Sequence, residues 1–351
     1  MHRYLPILYA LTVLHLAASG IRSESPPTDR LYIFNPNVSP SPGLVRVMDW
    51  DASSSGSNTT GEVVTVAGWP RAAWCSQVFA TSDPCTVGAF THDPSFVSID
   101  FCAHQTPTAV RAVSLPLLLH GSWHPAYAST KAAFDAVTGY LYVYTYTEYP
   151  YGQYGADYIV AVDTKTGSLV FNTSLPALGA TDSSMALAAP TGGIRRLYVN
   201  LNGNPNKAEP HLLLTMDPAT GRTLHRQTIP GQHGYFQALF ASGDTVGSLI
   251  ALGSAAFTPG WHLHSFRVAP DDGAVSPLSD LMVDQQIAVA CSGLNLTSNS
   301  ATILQHIDSS LSYAARFVGM SLDSGTVQYS STGVAGGVFD GAADGCALVA
   351  W

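Results

Sequence analysis

The amino-acid sequence predicts an all-β fold in which one four-stranded unit is repeated along the chain. Apolar stretches alternate with turns, and 31 glycines and 22 prolines interrupt the 351 residues too often for long helices. Turn glycines recur at positions 167, 221, 273 and 325, at intervals of 54, 52 and 52 residues. Four strands in a unit of this length are typical of a β-propeller blade.

The clearest copies of the unit are residues 158–170 and 212–224, each an apolar strand, a turn and a second strand. In both copies an aspartate begins the turn and a glycine ends it four residues later. An aspartate accepts hydrogen bonds from backbone N–H groups just after it, and glycine supplies the positive φ of a tight turn. These aspartates are therefore predicted to shape turns rather than to act as catalytic acids. Looser copies follow at 266–275 and 317–327.

The repeat predicts a β-propeller of six four-stranded blades. Strands at 141–143, 197–199 and 249–250 precede the hairpins, and the length after residue 20 accommodates about six units. Residues 339–351 resemble the first half of a blade and are predicted to close the ring with the N-terminal strands. The alternatives are a truncated gene product that lacks part of a seventh blade, and a pair of β-sandwiches.

The repeat also resembles a known superfamily. Residues 134–143, followed by 159–167, are similar to the repeat of YVTN-type, quinoprotein-like β-propellers. The resemblance is best over residues 130–330 and implies a fold only, because such propellers carry unrelated functions.

The first 20 residues are predicted to be a secretory signal peptide. A short polar start precedes an apolar run at 5–16, and small residues follow at 18–20. An uncleaved membrane anchor is the alternative, but the run is shorter than the roughly 20 residues that cross a bilayer. The sequence therefore predicts a secreted protein without stable membrane insertion, in which residues 21–351 form one propeller domain.

Glycosylation and disulfide formation are expected in such a compartment. Four Asn-x-Ser/Thr tripeptides are predicted acceptors of N-linked glycans: Asn37, Asn58, Asn172 and Asn295. Five cysteines allow at most two bridges within the chain. Cys75 could pair with Cys85 and Cys291 with Cys346, which would leave Cys102 unpaired, but the sequence leaves the connectivity open.

Half of the 16 tyrosines lie within residues 140–158. On a strand, Tyr140, Tyr142, Tyr144 and Tyr146 would project from one face, either as a ligand platform or, as we favour, as packing between blades. Three tyrosines in the following loop are the predicted ligand contacts: Tyr149, Tyr151 and Tyr154.

Other chemistry is weakly represented. His262 and His264 could begin a metal site on one strand face, but the third ligand would have to come from another blade. No nucleophile, phosphate-binding or quinone-binding pattern is present in the sequence, so we predict no cofactor. The net charge of −9 argues against nucleic-acid binding.

The function predicted from the sequence is non-catalytic binding of a protein or glycan partner by loops at one rim of the propeller channel. The alternatives are an extracellular metal-dependent hydrolase or lactonase, and a structural component of the cell surface or matrix without a binding pocket. An enzyme would need acidic, Asn or His side chains from several blades to meet at the channel mouth.

Overall fold

A computed structural model describes most strands of the chain and some of their connections. The described residues are 30–34, 44–49, 62–70, 75–83, 85–91, 94–102, 106–115, 132–149, 153–175, 183–188, 194–202, 210–229, 235–241, 249–254, 261–268, 274–283, 288–295, 300–309, 312–321, 327–330 and 347–350. The side chains it describes lie mostly between residues 65 and 229. Within these ranges, no helix is long and apolar enough to cross a membrane.

The described strands form six antiparallel sheets of four strands each, numbered I to VI here. In order across each sheet, the strands of sheets I, II and III are as follows. Sheet I contains β24 (Ala347–Ala350), β1 (Arg30–Phe34), β2 (Leu44–Asp49) and β3 (Glu62–Thr65). Sheet II contains β4 (Cys75–Ala80), β5 (Thr86–Thr91), β6 (Ser95–Asp100) and β7 (Thr108–Ser114). Sheet III contains β8 (Ala132–Asp135), β9 (Tyr140–Tyr149), β10 (Gln153–Asp163) and β11 (Leu169–Ser174).

The second half of the chain continues the pattern. Sheet IV contains β12 (Ser183–Ala188), β13 (Arg196–Leu201), β14 (His211–Met216) and β15 (Thr223–Ile229). Sheet V contains β16 (Tyr235–Ala241), β17 (Leu249–Ser254), β18 (Trp261–Val268) and β19 (Val275–Val283). Sheet VI contains β20 (Ala288–Asn295), β21 (Ser300–Ser309), β22 (Ser312–Ser321) and β23 (Val327–Ser330). The all-β prediction is confirmed.

Sheet I differs from the others because it joins the two ends of the chain. In sheets II to VI, four consecutive strands are neighbours, whereas in sheet I the last strand β24 pairs antiparallel with β1. The first strands of the sheets also contact one another in the order β24, β4, β8, β12, β16, β20 and back to β24. Two hydrogen bonds connect β4 and β8. The side-chain N–H of Gln77 donates to the carbonyl of Ala132 at 3.1 Å, and the side-chain oxygen of Gln77 accepts from the backbone N–H of Ala132 at 3.2 Å.

The apolar core lies between neighbouring sheets rather than within one of them. Tyr142 and Ile159 of sheet III pack with Leu197 and Leu212 of sheet IV in one such cluster. Because the middle strands touch a neighbour on both faces, β14 is buried along its whole length. The fourth strands face outwards, and most of β7 is exposed or half-buried. This difference explains why middle strands are nearly continuous apolar runs while fourth strands are mixed.

The Asp–x–x–Thr–Gly turns have the geometry that the sequence predicts. Between β10 and β11, Oδ1 of Asp163 accepts a hydrogen bond from the N–H of Lys165 at 2.8 Å, and Oδ2 accepts one from Oγ1 of Thr166 at 3.0 Å. Gly167 ends the turn with a φ of 72°. The same pattern of aspartate and positive-φ glycine occurs in two more turns: 135–139 and 217–221.

The turn after the third strand packs against the fourth strand of the preceding sheet. A Cβ atom at Gly221 in sheet IV would lie 2.5 Å from Cδ2 of Phe171 in β11 and would overlap the hydroxyl of Thr173. Between sheets IV and V, Oε1 of Gln227 in β15 accepts a hydrogen bond from the N–H of Val275 at 3.1 Å. Glycine at position 221 therefore provides both the positive φ and the space for close packing.

One disulfide bond corrects the predicted pairing. Cys85 is bonded to Cys102, so the Cys75–Cys85 pair is wrong. Cys75 lies opposite Thr91 at the far end of the β4–β5 ladder, while Cys85 precedes β5 at the other end. Cys85 and Cys102 flank the β5–β6 hairpin, whose register brings their Cα atoms to 5.3 Å. Nothing is described of the Cys291 side chain, and Cys346 lies outside the described residues.

Sheets III and IV are joined through their turns. Both carboxylate oxygens of Asp135 accept hydrogen bonds from Nη1 of Arg195, at 2.8 and 2.6 Å. Within sheet III, the carbonyl of Gly139 accepts hydrogen bonds from the N–H and Oγ1 of Thr164, at 3.0 and 2.8 Å, which links the two turns of that sheet. We call this end of the two sheets the turn end. The opposite end, where β9 joins β10 and β13 joins β14, is the hairpin end.

Asp135 is held as a carboxylate by its hydrogen bonds. Burial by itself would raise the pKa of Asp135. Hydrogen bonds from Val137, Thr138 and Arg195, with the positive charge of Arg195, outweigh this effect and lower the pKa below its ordinary value. The ion pair therefore stabilises the junction of sheets III and IV at neutral pH.

Candidate functional site

The strand tyrosines belong to the core. Tyr142 is completely buried and Tyr144 nearly so, both in the cluster between sheets III and IV, while Tyr140 is half-buried. Burial raises the pKa of Tyr142 well above its usual value, so this phenol is neutral. The packing interpretation is confirmed for Tyr142 and Tyr144, and the side chain of Tyr146 is outside the described part.

The predicted ligand tyrosines lie around a longer hairpin than the sequence predicts. Tyr149 is the last residue of β9 and pairs with Gln153, and Tyr154 of β10 pairs with Glu148. The prediction that Tyr149 and Tyr154 lie in a loop is therefore wrong, because the pairing of β9 with β10 extends to Tyr149 and Gln153. Tyr151 lies in the connection, outside the described residues. The role of these tyrosines as ligand contacts stays a prediction.

A row of buried polar residues lies at the hairpin end of sheet IV. Ser184 of β12 pairs with Asn200 of β13, and the Asn200 amide donates to Oδ1 of Asn202 at 2.8 Å. His211 begins β14, after the connection that follows Asn202, and all four side chains are buried. Because side chains alternate between the two faces of a strand, these four side chains lie on the same face of sheet IV as Tyr198, which packs against sheet V.

Two atoms of this polar row have no hydrogen-bond partner among the described residues. They are Oγ of Ser184 and Oδ1 of Asn200, both fully buried. Burying an unpaired polar group costs about 1–3 kcal/mol, so most buried polar atoms in proteins are hydrogen-bonded. These two atoms therefore have hydrogen-bonding capacity that no described residue uses.

The polar row and the tyrosine hairpin are on the same side of the molecule. Because Asp135 of sheet III bonds Arg195 of sheet IV, the turn ends of the two sheets lie together. Their hairpin ends, which carry Tyr149 and Asn200 respectively, therefore lie on the same side of the two sheets, although the polar row faces sheet V and the hairpin of Tyr149 belongs to sheet III. The hairpin end is thus the candidate functional site.

The sequence contains only a weak signal for this row. Asn200 and Asn202 alternate at the end of an apolar strand, which indicates polar groups on one face of a buried element. Ser184 and His211 lie next to these asparagines only because of the way in which β12, β13 and β14 pair with one another. That register cannot be read from spacing.

The metal candidates His262 and His264 lie in β18 of sheet V. The register sets Gly253 opposite His262, and both Ala251 and Asp280 beside His264. The described side chains contain no group of three or more His, Cys, Asp or Glu residues able to hold a metal ion. Since the side chains at 262 and 264 are not among them, these two positions stay a prediction.

Of the predicted glycosylation sites, only Asn172 has a described side chain. It is exposed in β11, an outward-facing fourth strand, where an attached glycan would meet solvent. Asn295 ends β20, and nothing is described of its side chain. Asn37 and Asn58, like the predicted signal peptide, lie outside the described residues.

The comparisons with known proteins identify a fold and no family. No protein-family model and no curated protein matches the chain. One similar solved structure is the nidogen/laminin complex, with a TM-score of 0.52, 10% identity and coverage of 91% of this chain and 97% of that one. Another is a protein from Lactobacillus plantarum, with a TM-score of 0.52, 13% identity and coverage of 88% and 82%.

A third is a functionally unknown protein from Desulfotomaculum acetoxidans, with a TM-score of 0.50, 11% identity and coverage of 92% and 99%. The similar structures are β-propeller proteins. The chain has a β-propeller fold. At these identities the likeness extends to the fold alone, and the resemblance stated from the repeat is supported at that level.

Proposed function

We propose that this protein is a secreted, N-glycosylated propeller of six blades that binds a protein or glycan partner at its hairpin end without catalysis. The observation that carries the proposal is the pair of buried polar atoms on Ser184 and Asn200 that have no hydrogen-bond partner among the described residues, at the same end of the sheets as the tyrosine hairpin. Aromatic side chains next to hydrogen-bonding groups suit both sugar rings and protein side chains.

Two features support a closed ring of six blades. The described strands form six sheets of equal size, and their first strands contact one another in a complete cycle. The pairing of β24 with β1 provides the composite blade that such a ring needs. Full closure leaves no unpaired inner edge that could join another sheet.

Secretion and a binding role have separate support. A disulfide between Cys85 and Cys102 fits an oxidising compartment. One structure of similar fold is a complex between nidogen and laminin, which is an assembly of proteins. Rigid sheets that hold connections at one end are the usual way in which propellers present a binding surface.

The test uses the full chain secreted from eukaryotic cells and screened against a glycan array and a library of cell-surface ectodomains. A variant with Tyr149, Tyr151 and Tyr154 changed to alanine should bind the partner found at least 100-fold more weakly, because buried aromatic anchors dominate binding energy. Tyr140→Ala, at the turn end of the same strand β9, is the matched control and should keep its affinity.

Asn200→Ala provides a second arm of this experiment. If the polar row contacts the partner, Asn200→Ala should weaken binding by about tenfold or more. Equal affinity of the triple tyrosine variant, Asn200→Ala and the wild type would refute the hairpin end as the binding site. A stoichiometric divalent ion in the purified protein, whose removal abolishes hydrolysis of a lactone, would favour the enzyme alternative instead.

A further inference from the structure

The junction between sheets IV and V changes from apolar to polar along its length. Its apolar part contains Tyr198 and Leu213 of sheet IV with Ala251 and Phe266 of sheet V, all buried in one cluster. Towards the hairpin end, the same face of sheet IV continues with the polar row. The residues that sheet V contributes at this end therefore bear on what the row can bind.

Two histidine positions of sheet V lie on the face that is turned towards sheet IV. Because residues alternate between the two faces of a strand, positions 262 and 264 of β18 share the face of Phe266, which packs against sheet IV. Both positions precede Phe266 along β18 and are therefore nearer to the hairpin end. In the neighbouring strand β17, Gly253 pairs with His262 and Ala251 with His264, so small residues accompany both histidines.

The equivalent positions of sheet IV are apolar. When the two sheets are aligned on the pairing of their second and third strands, Leu212 corresponds to His262 and Leu214 to His264. Both leucines are buried in the cluster between sheets III and IV. Leucine at these positions is thus sufficient for two sheets to pack, and the two histidines of sheet V indicate a second role.

A third histidine comes from the opposite side of the junction. His211 begins β14 and is buried, and it shares the sheet V-facing side of its strand with Leu213. The strand positions therefore bring three histidines from two sheets to one end of the junction. Imidazole nitrogen is a preferred ligand of zinc, whereas calcium and magnesium take oxygen ligands.

A carboxylate is placed beside these histidines. The pairing of β18 with β19 sets Asp280 next to His264 on the same face of sheet V. Aspartate oxygen is a zinc ligand, and its negative charge offsets part of the charge of a buried divalent ion. The junction thus has the four ligands of a tetrahedral zinc site.

The polar row offers hydrogen-bond acceptors that such a site needs. Oγ of Ser184 and Oδ1 of Asn200 are buried and have no partner among the described residues. A histidine that binds a metal through one nitrogen usually donates its other N–H to an oxygen, which fixes the orientation of the ring. These two oxygens would accept such N–H groups.

We propose that the three histidines bind a zinc ion between sheets IV and V, with Asp280 as the fourth ligand. Four protein ligands make a closed, structural site, so the ion would join the two sheets rather than act on a substrate. The sequence alone predicts no cofactor, because the third ligand becomes visible only through the strand pairing. Metal content tests this site and partner affinity tests the proposed function, so either can fail without the other.

The first measurement is the metal content of the full chain, secreted from eukaryotic cells and purified without a polyhistidine tag. Elemental analysis should find about one zinc ion per chain. Removal of the ion by a chelator should lower the temperature of thermal unfolding, and added zinc should restore it. Cobalt(II) in place of zinc should give the visible absorption of a four-coordinate ion, which histidines with only a packing role would not produce.

Variants then test the individual ligands. His262→Leu with His264→Leu installs the leucines that sheet IV has at the equivalent positions, and should abolish both zinc binding and the cobalt absorption. Asp280→Asn and Asn200→Ala should each weaken zinc binding about tenfold or more. The matched control is His225→Leu in the outward-facing strand β15, which should bind zinc like the wild type.

Three results would overturn the proposal. The first is a purified protein that contains no metal and takes up neither zinc nor cobalt. The second is a cobalt spectrum that is the same in the double leucine variant and in the wild type, and the third is an unchanged zinc affinity of Asp280→Asn. Should the double leucine variant fail to fold, His211→Gln and His262→Gln provide the same comparison with smaller changes in volume.

Discussion

The close packing of Gly221 against β11 predicts a stability loss that can be divided into two parts. Gly221 has a φ of 70°, a conformation that costs an alanine about 1–2 kcal/mol. The added Cβ would also lie 2.5 Å from Phe171, and relieving such overlap costs about 1–3 kcal/mol. We therefore expect Gly221→Ala to lower the free energy of unfolding by about 2–5 kcal/mol.

Gly139→Ala is the matched control for this prediction. Gly139 has a φ of 78° in an equivalent turn, but the nearest side-chain atom belongs to the flexible end of Lys165. We expect only the backbone part of the loss, about 1–2 kcal/mol. Urea unfolding followed by tryptophan fluorescence gives both values.

A double-mutant cycle with Phe171 tests the cause directly. In a Phe171→Ala background, only the overlap with the Thr173 hydroxyl remains, so Gly221→Ala should cost less than it does in the wild-type background. Equal losses for the two glycine variants in the wild-type background would refute the reasoning. The same conclusion would follow if the cost of Gly221→Ala were unchanged when Phe171 is absent.

Three further predictions concern the junctions between and within sheets. Asp135→Asn should cost about 1–3 kcal/mol at pH 7. Because the folded pKa of Asp135 is lowered, its contribution is complete above the unfolded value of 3.8 and is lost as the pH falls through the folded value. The stability difference between the variant and the wild type should therefore shrink as the pH falls below 3.8 towards the lowered folded pKa, as measured by unfolding from pH 7 to pH 2; a constant difference would contradict the assignment. Replacing Cys85 and Cys102 by serine should cost about 3 kcal/mol in thermal unfolding for a loop of this length. Gln77→Ala should cost about 1–3 kcal/mol in urea unfolding, because it leaves both backbone groups of Ala132 without their partner, and Gln77→Glu should recover only the bond to the N–H.

The turns and strands were predictable because their causes are local. An aspartate bonds the N–H two residues later, and a glycine ends the turn, so residues 163–167 contain all that is needed. The apolar runs of the middle strands follow in the same way from burial on two faces. The regular spacing of these local signals was enough to predict four-stranded units.

Features that depend on register or on contacts between sheets were not predictable. The pairing of Cys85 with Cys102 follows from the β5–β6 ladder rather than from sequence distance. Arg195 reaches Asp135 across 60 residues of chain, and no local pattern indicates this contact. The hairpin of Tyr149 and Tyr154 extends further than predicted, because β10 begins at residue 153 and the glycine at 155 lies within the strand instead of preceding it.

The union of β1 and β24 in one sheet has a consequence for biosynthesis. Sheets II to VI each use neighbouring strands, so they can assemble as the polypeptide leaves the ribosome. Sheet I has to wait until residues 347–350 emerge, and until then β1 and the exposed side of β4 lack their companion strand. A ribosome stalled before this point would hold a nascent chain with unpaired strand edges on β1 and β4, which chaperones would be expected to recognise.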